Sequence, residues 1–354
     1  MVGYNLKKTV MIVEDPMTRK VTIRDLAEAA GVSVTTVSQI LNGKGERFSL
    51  ETRQRVHQLQ DKMGYVPDFN ARNLIMKSAQ TIGVLVPNLG NPFFSMFIKG
   101  VQAASRERHF IPLIFGANHD QELESYYLQE LIKRAVDGLI IASASITGEA
   151  IDNILKKNGI PYLLIDQNGG PSLDRIRIDD TRGGQLAAQH LVALGHRKIA
   201  VVMPDQPTQN LTVRLAGFRQ TLQAAGIAFT DANVVHSPMT KLGGYQATAA
   251  IVAQQPTAVF AINDETVLGL IRGLHERGLR VPEDLSVLGY DDIDLDEYVV
   301  PKLSSVHQPV VTMGEQATEL LIKRIHNRRQ SGQTVDLPVD LRQRESTGPV
   351  DSQK

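Results

Sequence analysis

The chain of 354 residues contains no cysteine and no tryptophan, only 5% aromatic residues, and no net charge, because 38 basic residues balance 38 acidic ones. The absence of cysteine excludes disulfides, cysteine nucleophiles, iron–sulfur clusters and thiolate zinc sites, and it is typical of a reducing compartment. No apolar run approaches the roughly 18 residues of a membrane span. The apolar stretch Val10–Val13 is too short for the core of a signal peptide. We therefore expect a cytoplasmic protein with no membrane partner.

The charge is unevenly distributed along the chain. Residues 1–80 contain 12 basic and 8 acidic residues, whereas the remainder contains 26 basic and 30 acidic ones. The N-terminal segment therefore carries a net charge of +4 and the rest carries −4. This pattern favours a protein in which only the N-terminal part contacts a polyanion.

Three short helices are predicted near the N-terminus. The first begins at the capping pair Thr22 and Asp25 and ends at Gly31, and the others span Ser33–Leu41 and Ser49–Met63. Two short helices joined through a glycine turn, with a third packed behind them, form a helix-turn-helix. A small helical bundle with a solvated polar face is the alternative interpretation.

The second helix has the side chains expected of a recognition helix. Val37, Ile40 and Leu41 form its apolar stripe, and short or hydrogen-bonding side chains lie on the opposite face. Gln39 can make a bidentate contact to adenine, and Val34 can pack on a thymine methyl group. Arginines of the third helix suit phosphate groups. The candidate DNA-contacting residues of this region are Val34, Thr35, Thr36, Ser38, Gln39, Asn42, Arg53 and Arg55.

Residues 21–43 resemble the headpiece of the lactose/galactose repressor family. The resemblance rests on the pattern Ala-Gly-Val-Ser-x-x-Thr-Val-Ser at residues 30–38 and on the Leu-Asn-Gly exit at residues 41–43. It implies a homodimer that binds double-stranded, pseudo-palindromic operator DNA with the second helix in the major groove. The family usually has arginine where this chain has Gln39, so we expect an altered operator preference.

Residues 64–77 follow as a candidate hinge, which is too short to be stable as an isolated helix. The pattern Tyr-x-Pro-Asx-x-x-Ala-Arg-x-Leu at residues 65–74 also resembles the hinge of that family. The resemblance implies that Ala71, Arg72 and Leu74 reach the minor groove, where Leu74 is driven between two base steps. A plain linker whose Leu74 packs on the following domain is the alternative.

Short apolar runs alternate with helical patterns through the rest of the chain, and Gly, Pro, Asn or Asp bounds each run, as in buried parallel strands. The predicted strands are Thr81–Pro87, Ile111–Phe115, Gly138–Ala142, Pro161–Ile165, Lys198–Met203, Thr257–Ile262 and Leu285–Gly289, with helices such as Phe93–Arg108, Asp180–Leu194 and Asp264–Arg277 between them. This α/β pattern predicts a doubly wound architecture. It contains too many units for one small sheet, so we expect two lobes with a ligand cleft at the carboxyl ends of the strands.

Polar and aromatic residues recur where these strands end, and Arg214 is expected to open a helix after one of them. Carboxylates and amides suit sugar hydroxyls, because each hydroxyl needs both a donor and an acceptor, and aromatic rings can cover the apolar face of a sugar. The candidate effector-binding residues are Asn91, Phe93, Phe94, Asp166, Arg214, Asn263, Asp291 and Gln308. Purely structural roles are also open: helix caps for Asn263 and Asp264, a core position for Phe93 and a paired or solvated charge for Arg214.

Six motifs in this region resemble the effector-binding core of the same family, which is shared with the periplasmic sugar-binding fold. They are Asn-Pro-Phe-Phe (91–94), Ile-Asp (165–166), Arg-x-x-Gly-Phe (214–218), Phe-Ala-x-Asn-Asp (260–264), Val-Leu-Gly-Tyr-Asp-Asp (287–292) and His-Gln-Pro (307–309). The resemblance implies that the eight candidates line one pocket, and similarity to the ribose-type branch implies a pentose or related small sugar. Gln167 and Met239 depart from that branch, which usually has an arginine and an aromatic residue there, so the hydroxyl pattern that is read is left open.

These observations predict a sequence-specific DNA-binding regulator, a repressor of a carbohydrate-utilisation operon that is controlled by a small sugar. An enzyme on a dinucleotide-binding scaffold is one alternative, but no G-x-G-x-x-G follows the first core strand, and no P-loop, metal-binding helix motif or nucleophile elbow occurs. We therefore expect neither enzymatic activity nor a cofactor. A periplasmic-type sugar-binding protein and a regulator that senses a partner protein are two further interpretations.

The same patterns predict the organisation of the chain. The expected parts are an extension without fixed structure (1–19), a helix-turn-helix domain (20–66), a hinge helix and linker (67–79), the effector-binding core (80–346) and a disordered tail (347–354).

Overall fold

The computed structural model describes residues 20–67, 78–118, 120–142, 154–165, 173–328 and 331–350. The chain divides into two units, Met1–Ala79 and Gln80–Lys354. The extension expected at residues 1–19 lies outside the described residues, as do Ala71, Arg72, Leu74 and Asp166.

Three helices form the described part of the first unit: α1 Ile23–Ala30, α2 Val34–Leu41 and α3 Leu50–Met63. Each begins at a hydroxyl cap. The Thr22 side chain caps α1 in a capping box with Asp25, and Ser33 and Ser49 cap the next two helices. Gly31 ends α1 with φ 64°, a left-handed conformation that glycine adopts without strain. The predicted helix-turn-helix is confirmed.

A small apolar cluster holds these helices together. Leu26, Val37 and Val56, one from each helix, are completely buried in it, and Tyr65 closes it after the end of α3. Because one residue of each helix meets at this point, loss of any of them would leave a void between the other two. The polar face of α2 is left free of the core.

Two sheets form the centre of the second unit. The strands of the first sheet are β1 Thr81–Val86, β2 Ile111–Gly116, β3 Gly138–Ile141, β4 Tyr162–Ile165, β5 Asp174–Ile178 and β11 Thr334–Leu337. Those of the second sheet are β6 Ile199–Met203, β7 Val234–His236, β8 Ala258–Ala261, β9 Ser286–Asp291, β10 Ser304–His307 and β12 Asp340–Arg342. The first sheet has the order β11-β5-β4-β3-β1-β2 and the second has the order β12-β10-β9-β8-β6-β7.

The described strand pairs are parallel, apart from β10 and β12, which are antiparallel. The interior strands β1 and β9 are buried along their whole length. Burial on both faces is what a parallel sheet between two helical layers requires, and it explains why these strands are mainly apolar.

Helices cover the two sheets. They are α4 Pro92–Glu107, α5 Gln121–Lys133, α6 Asp180–Ala193, α7 Gln209–Ala224, α8 Lys241–Ala253, α9 Asp264–Glu276 and α10 Val310–His326. Facing glycines allow close contact between α6 and α7: a Cβ atom on Gly184 would lie 1.9 Å from the Arg214 carbonyl oxygen, and one on Gly217 would lie 2.3 Å from the Thr181 carbonyl oxygen. This contact sets the position of Arg214, because neither helix backbone can withdraw without opening the core.

The chain passes from the first sheet to the second between β5 and α6, returns between β10 and α10, and passes back between β11 and β12. The predicted two-lobed, doubly wound architecture is confirmed. Two expectations need correction. Helix α7 begins at Gln209, so Arg214 lies inside this helix and does not open it. Strands β5, β7, β10, β11 and β12 were not predicted, because they are short or polar and do not form apolar runs.

The C-terminal segment is docked on the second sheet up to Val350, past the core boundary expected at residue 346. The hydroxyl of Thr347 lies 2.8 Å from His190 Nε2, the Gly348 carbonyl lies 3.1 Å from His196 Nε2, and the Val350 amide donates to the Leu194 carbonyl. The expectation of a disordered tail from residue 347 is therefore wrong for residues 347–350. Residues 347–350 have a defined position because the buried imidazoles of His190 and His196 pair with this segment.

We predict that the protein loses stability as the pH falls below about 6.5. Burial lowers the pKa of both His190 and His196. The unfolded chain therefore binds protons at a higher pH than the folded protein, and the free energy of unfolding falls as the pH decreases. Urea unfolding between about pH 7.5 and 5.5 measures this slope. His190→Gln should reduce it, whereas His275→Gln, an exposed control on α9, should not; equal slopes in all three proteins contradict the prediction.

Candidate DNA-binding surface and effector site

The exposed face of α2 begins at the N-terminal cap of the helix, Ser33. The Ser33 hydroxyl accepts a hydrogen bond from the Thr36 amide (3.1 Å) and lies 2.9 Å from the Thr36 hydroxyl. Val34 is 41% exposed and Thr35 is exposed beside it. At the other end, the Asn42 side-chain amide donates to the Ser38 carbonyl at 2.7 Å, which ends the helix. Thr36 and Asn42 therefore have structural roles besides any contact with DNA.

Gln39 has a cationic neighbour that sequence reasoning missed. The Arg47 guanidinium donates a hydrogen bond to the Gln39 side-chain oxygen and lies over the Phe48 ring, 4.9 Å from its centroid. Arg47 is exposed in the loop between α2 and α3. Helical periodicity could not find this pair, because Arg47 lies outside α2.

The two candidate phosphate ligands of α3 have different surroundings. Arg55 is exposed, whereas Arg53 is half-buried and its side chain packs near Gly45. Residues two apart on a helix are separated by roughly 200° around the axis, so the two guanidinium groups do not share a face. Arg55 is therefore the freer of the two.

Four of the effector candidates lie at the carboxyl ends of the second sheet. Asp291 ends β9, and Gln308 follows β10, where its side-chain amide donates to the Asp291 carboxylate at 2.7 Å. Both residues are at most 6% exposed. The charge of Arg214 acts on Asp291 from α7. Asn263, also buried, follows β8 and caps α9 by accepting a hydrogen bond from the Thr266 amide.

Arg214 is held from three sides. Its Nε and Nη2 atoms donate to one oxygen of Asp180 at 2.9 and 2.7 Å, and Nη1 donates to the Ile262 carbonyl at 2.6 Å. The guanidinium lies 3.3 Å from the centroid of the Tyr290 ring. Sequence reasoning missed Asp180 and Tyr290, which hold this arginine. Asp180 is 34 residues away in the chain, so no local pattern indicates the pair.

Burial and charge act against each other in this cluster. Burial disfavours the charged guanidinium, but Tyr290, Asp180 and Asp291 more than offset it and raise the pKa of Arg214. Burial and the nearby Asp264 raise the pKa of Asp291 well above its usual range, although Arg214 and Gln308 act in the opposite direction. The site thus combines a buried positive charge with an adjacent buried carboxyl group.

The first sheet presents its candidates at the corresponding edge. Asn91 follows β1 and caps α4, accepting a hydrogen bond from the Phe93 amide at 2.9 Å. The Phe93 and Phe94 rings meet edge to face with centroids 5.0 Å apart, and both are partly buried against the core of this lobe. The capping interpretation thus holds for Asn91 as it does for Asn263, and a cap leaves the side-chain NH2 group of each asparagine available as a donor.

The described residues contain no group of histidine, aspartate or glutamate side chains that could hold a metal ion. Among the described helices, none combines the length and the apolar character needed to cross a bilayer.

Two family models match the chain. Residues 22–68 match the bacterial regulatory proteins of the lacI family, and residues 188–347 match a periplasmic binding protein-like domain. The first covers the helix-turn-helix, and the second covers α7 through β12, which include Arg214, Asp291 and Gln308.

Known relatives match nearly the whole chain. The HTH-type transcriptional regulator DegA of Bacillus subtilis is 34% identical over 338 residues, which are 94% of this chain and all of DegA. A LacI family transcriptional regulator from Enterococcus faecium, solved with bound ribose, is 40% identical with a TM-score of 0.72, over 77% of this chain and 100% of that one. The lac repressor dimer bound to operator and the anti-inducer ONPF is 27% identical with a TM-score of 0.82, over 93% of this chain and 100% of that one. The chain therefore belongs to the LacI family of bacterial transcriptional regulators, DNA-binding proteins under the control of an effector.

Proposed function

We propose that the chain is a cytoplasmic, homodimeric repressor that binds a pseudo-palindromic operator through α2 and is controlled by a pentose or related small sugar. The buried cluster of Arg214, Asp291 and Gln308 carries the effector half of this proposal. Enclosed side chains that offer both donors and acceptors suit a polyhydroxylated ligand. The likeness to a regulator solved with bound ribose supports a pentose.

The proposed pocket takes contributions from both sheets. Asp291 accepts hydrogen bonds from sugar hydroxyls, while Arg214, Gln308 and the side-chain amides of Asn91 and Asn263 act as donors. Phe93 and Phe94 cover the apolar face of the ring. Asp166 completes the set in this proposal.

The sugar controls DNA binding by acting on the crossover between the sheets. Asp180 begins α6 directly after the chain leaves β5, and its ion pair with Arg214 connects this crossover to the sugar-binding edge. A tenfold change in operator affinity requires ~1.4 kcal/mol of coupling, so the sugar must prefer one arrangement of the lobes by that amount.

On the DNA side, we assign direct base contacts to α2 and, through its pairing with Gln39, to Arg47. Because Arg47 already donates to one lone pair of the Gln39 side-chain oxygen, Gln39 offers a base its NH2 group and the second lone pair, and Arg47 supplies further donors for a purine edge. In this scheme the phosphate backbone of the DNA is contacted by Thr36, Asn42, Arg53 and Arg55. Ala71, Arg72 and Leu74 act in the minor groove.

Replacement of Arg47 by alanine should weaken operator binding by at least about tenfold and relax specificity at one position of each half-site, because a good bidentate base contact contributes ~1–3 kcal/mol of discrimination. Fluorescence anisotropy with operator and unrelated duplexes measures both effects. Arg55→Ala, the control, should weaken binding to both duplexes alike and reduce the salt dependence. If Arg47→Ala loses the same affinity for operator and unrelated duplexes, Arg47 does not contact a base.

Asp291→Asn should weaken sugar binding by about tenfold or more and leave operator affinity unchanged. The side-chain NH2 group of asparagine is a donor, and it would face the sugar hydroxyl and the Gln308 side chain, which both donate to Asp291 in this proposal. A thermal-shift screen of pentoses, hexoses and their phosphates identifies the ligand, and calorimetry compares the variants. Asp231→Asn, whose carboxylate is 89% exposed, is the control. If Asp291→Asn binds the sugar normally, Asp291 is not a ligand; a screen without hits favours a partner protein as the signal.

The homodimer is proposed to use the second lobe, where large apolar side chains are exposed. Tyr298 is 81% and Val300 is 89% exposed in the segment before β10, and Leu242 on α8 is 63% exposed. Exposed apolar residues of this size are typical of protein–protein interfaces. The likeness to the lac repressor dimer supports a second copy as the occupant.

The double variant Tyr298→Glu, Val300→Glu is therefore expected to be monomeric in sedimentation experiments at micromolar concentration. Its operator affinity should fall at least about a hundredfold, because each half-site is then bound singly. Tyr126→Glu, on α5 and 55% exposed, is the control and should remain dimeric. A dimeric double variant contradicts the assignment of this surface.

A further inference from the structure

The turn that carries Asp291 has a backbone conformation that requires outside support. Asp291 has φ 123° and Asp292 has φ 59°, both in the region that favours glycine. Such residues are strained and persist only where the surroundings enforce them. The turn therefore needs a partner that holds its amides in place.

Asp264, at the start of α9, is that partner. One of its carboxylate oxygens accepts hydrogen bonds from the Asp292 amide at 2.7 Å and the Ile293 amide at 3.3 Å. The Ser305 hydroxyl lies 2.8 and 2.9 Å from the two oxygens. The carboxylate is completely buried above Gly289, where a Cβ atom would come within 1.9 Å of it.

A second buried carboxyl group contacts the first. Asp296, in the 3-10 turn Asp294–Glu297, is completely buried, and its carboxyl group is close enough to that of Asp264 for each to act on the pKa of the other. In the part of the chain that the structure describes, no N–H or hydroxyl donor reaches either of its oxygens. Two carboxylates in contact away from water cannot both be charged.

The donors decide which of the two carries the proton. Asp264 accepts hydrogen bonds from two amides and a hydroxyl, which stabilise its ionised form. Asp296 has no such donors among the described residues, and burial and the charge of Asp264 raise its pKa to about 11. This difference in donors favours the proton on Asp296, which can then donate it to Asp264.

We propose that Asp264 and protonated Asp296 form a proton-sharing pair of positioning residues that holds the Asp291–Asp292 turn in the shape required for effector binding. This inference rests on the proposed role of Asp291 as a sugar ligand. It gives Asp264 a role that neither a helix cap nor a direct ligand contact describes. Asp296 acts on the turn only through Asp264.

The test compares three variants by calorimetric titration with D-ribose. Asp296→Asn keeps the shape and the donor of the protonated acid, so its affinity should stay within about threefold of wild type. Asp296→Leu removes the donor, and Asp264→Ala removes the acceptor of the two turn amides; both should weaken ribose binding at least about tenfold, with operator affinity unchanged. Loss of ribose binding in Asp296→Asn, or normal binding in Asp264→Ala, overturns the proposal.

Infrared spectroscopy tests the proton itself and does not depend on the identity of the sugar. The difference spectrum of wild type minus Asp296→Asn at neutral pH should contain the carbonyl band of a protonated carboxyl group, whereas wild type minus Asp231→Asn should lack that band. Absence of the protonated band overturns the pair. If wild type does not bind D-ribose, the proposed pentose specificity fails, and the infrared result still decides the pair.

Discussion

The buried guanidinium of Arg214 is the interaction on which the ligand-facing edge of the second lobe depends. It joins Asp180, at the crossover from the first sheet, to the Ile262 carbonyl at the end of β8, and it packs on the Tyr290 ring. A charge buried to this extent is tolerated only with such partners, because removal of one of them leaves an uncompensated charge. The crossover and the sugar-binding edge are therefore constrained together.

A second group of buried carboxyl side chains lies beside the Arg214 cluster. Asp264, supported by Asp296, holds the turn after β9, while Gln308 contacts Asp291 at the return crossover to α10. The effector candidates of the second sheet are thus attached to two of the segments that connect the lobes. Movement of one lobe against the other changes the geometry of these contacts, which is the physical requirement for control by a ligand that binds there.

Local rules predicted the parts of the chain whose structure is local. The capping box of Thr22 and Asp25, the glycine stop at Gly31 and the apolar runs of β1 and β9 all appear where the sequence places them. Strand β5, Asp-Arg-Ile-Arg-Ile, was missed because charged residues interrupt its apolar side chains, so that no apolar run is present. One of these charged residues, Arg177, pairs with Asp336 on the neighbouring strand β11.

Contacts between distant residues could not be predicted in this way. The partners of Arg214, the pairing of Arg47 with Gln39 and the docking of Thr347 on His190 each join residues that no helical or strand period relates. The strand ends and the family resemblance supplied the effector candidates, but the structure was needed to show that Asn91 and Asn263 are also helix caps. The positioning role of Asp264 depends on backbone angles, which composition and spacing do not encode.

The most direct test of the central role of Arg214 is the effect of the sugar on operator affinity in wild type and in Arg214→Lys. Lysine retains the positive charge but cannot reproduce the three hydrogen bonds of the guanidinium. We predict that the sugar changes the operator affinity of wild type at least about tenfold, and that Arg214→Lys binds the operator normally but shows no response. An equal response in both proteins, or no selective operator binding by wild type, would contradict this role.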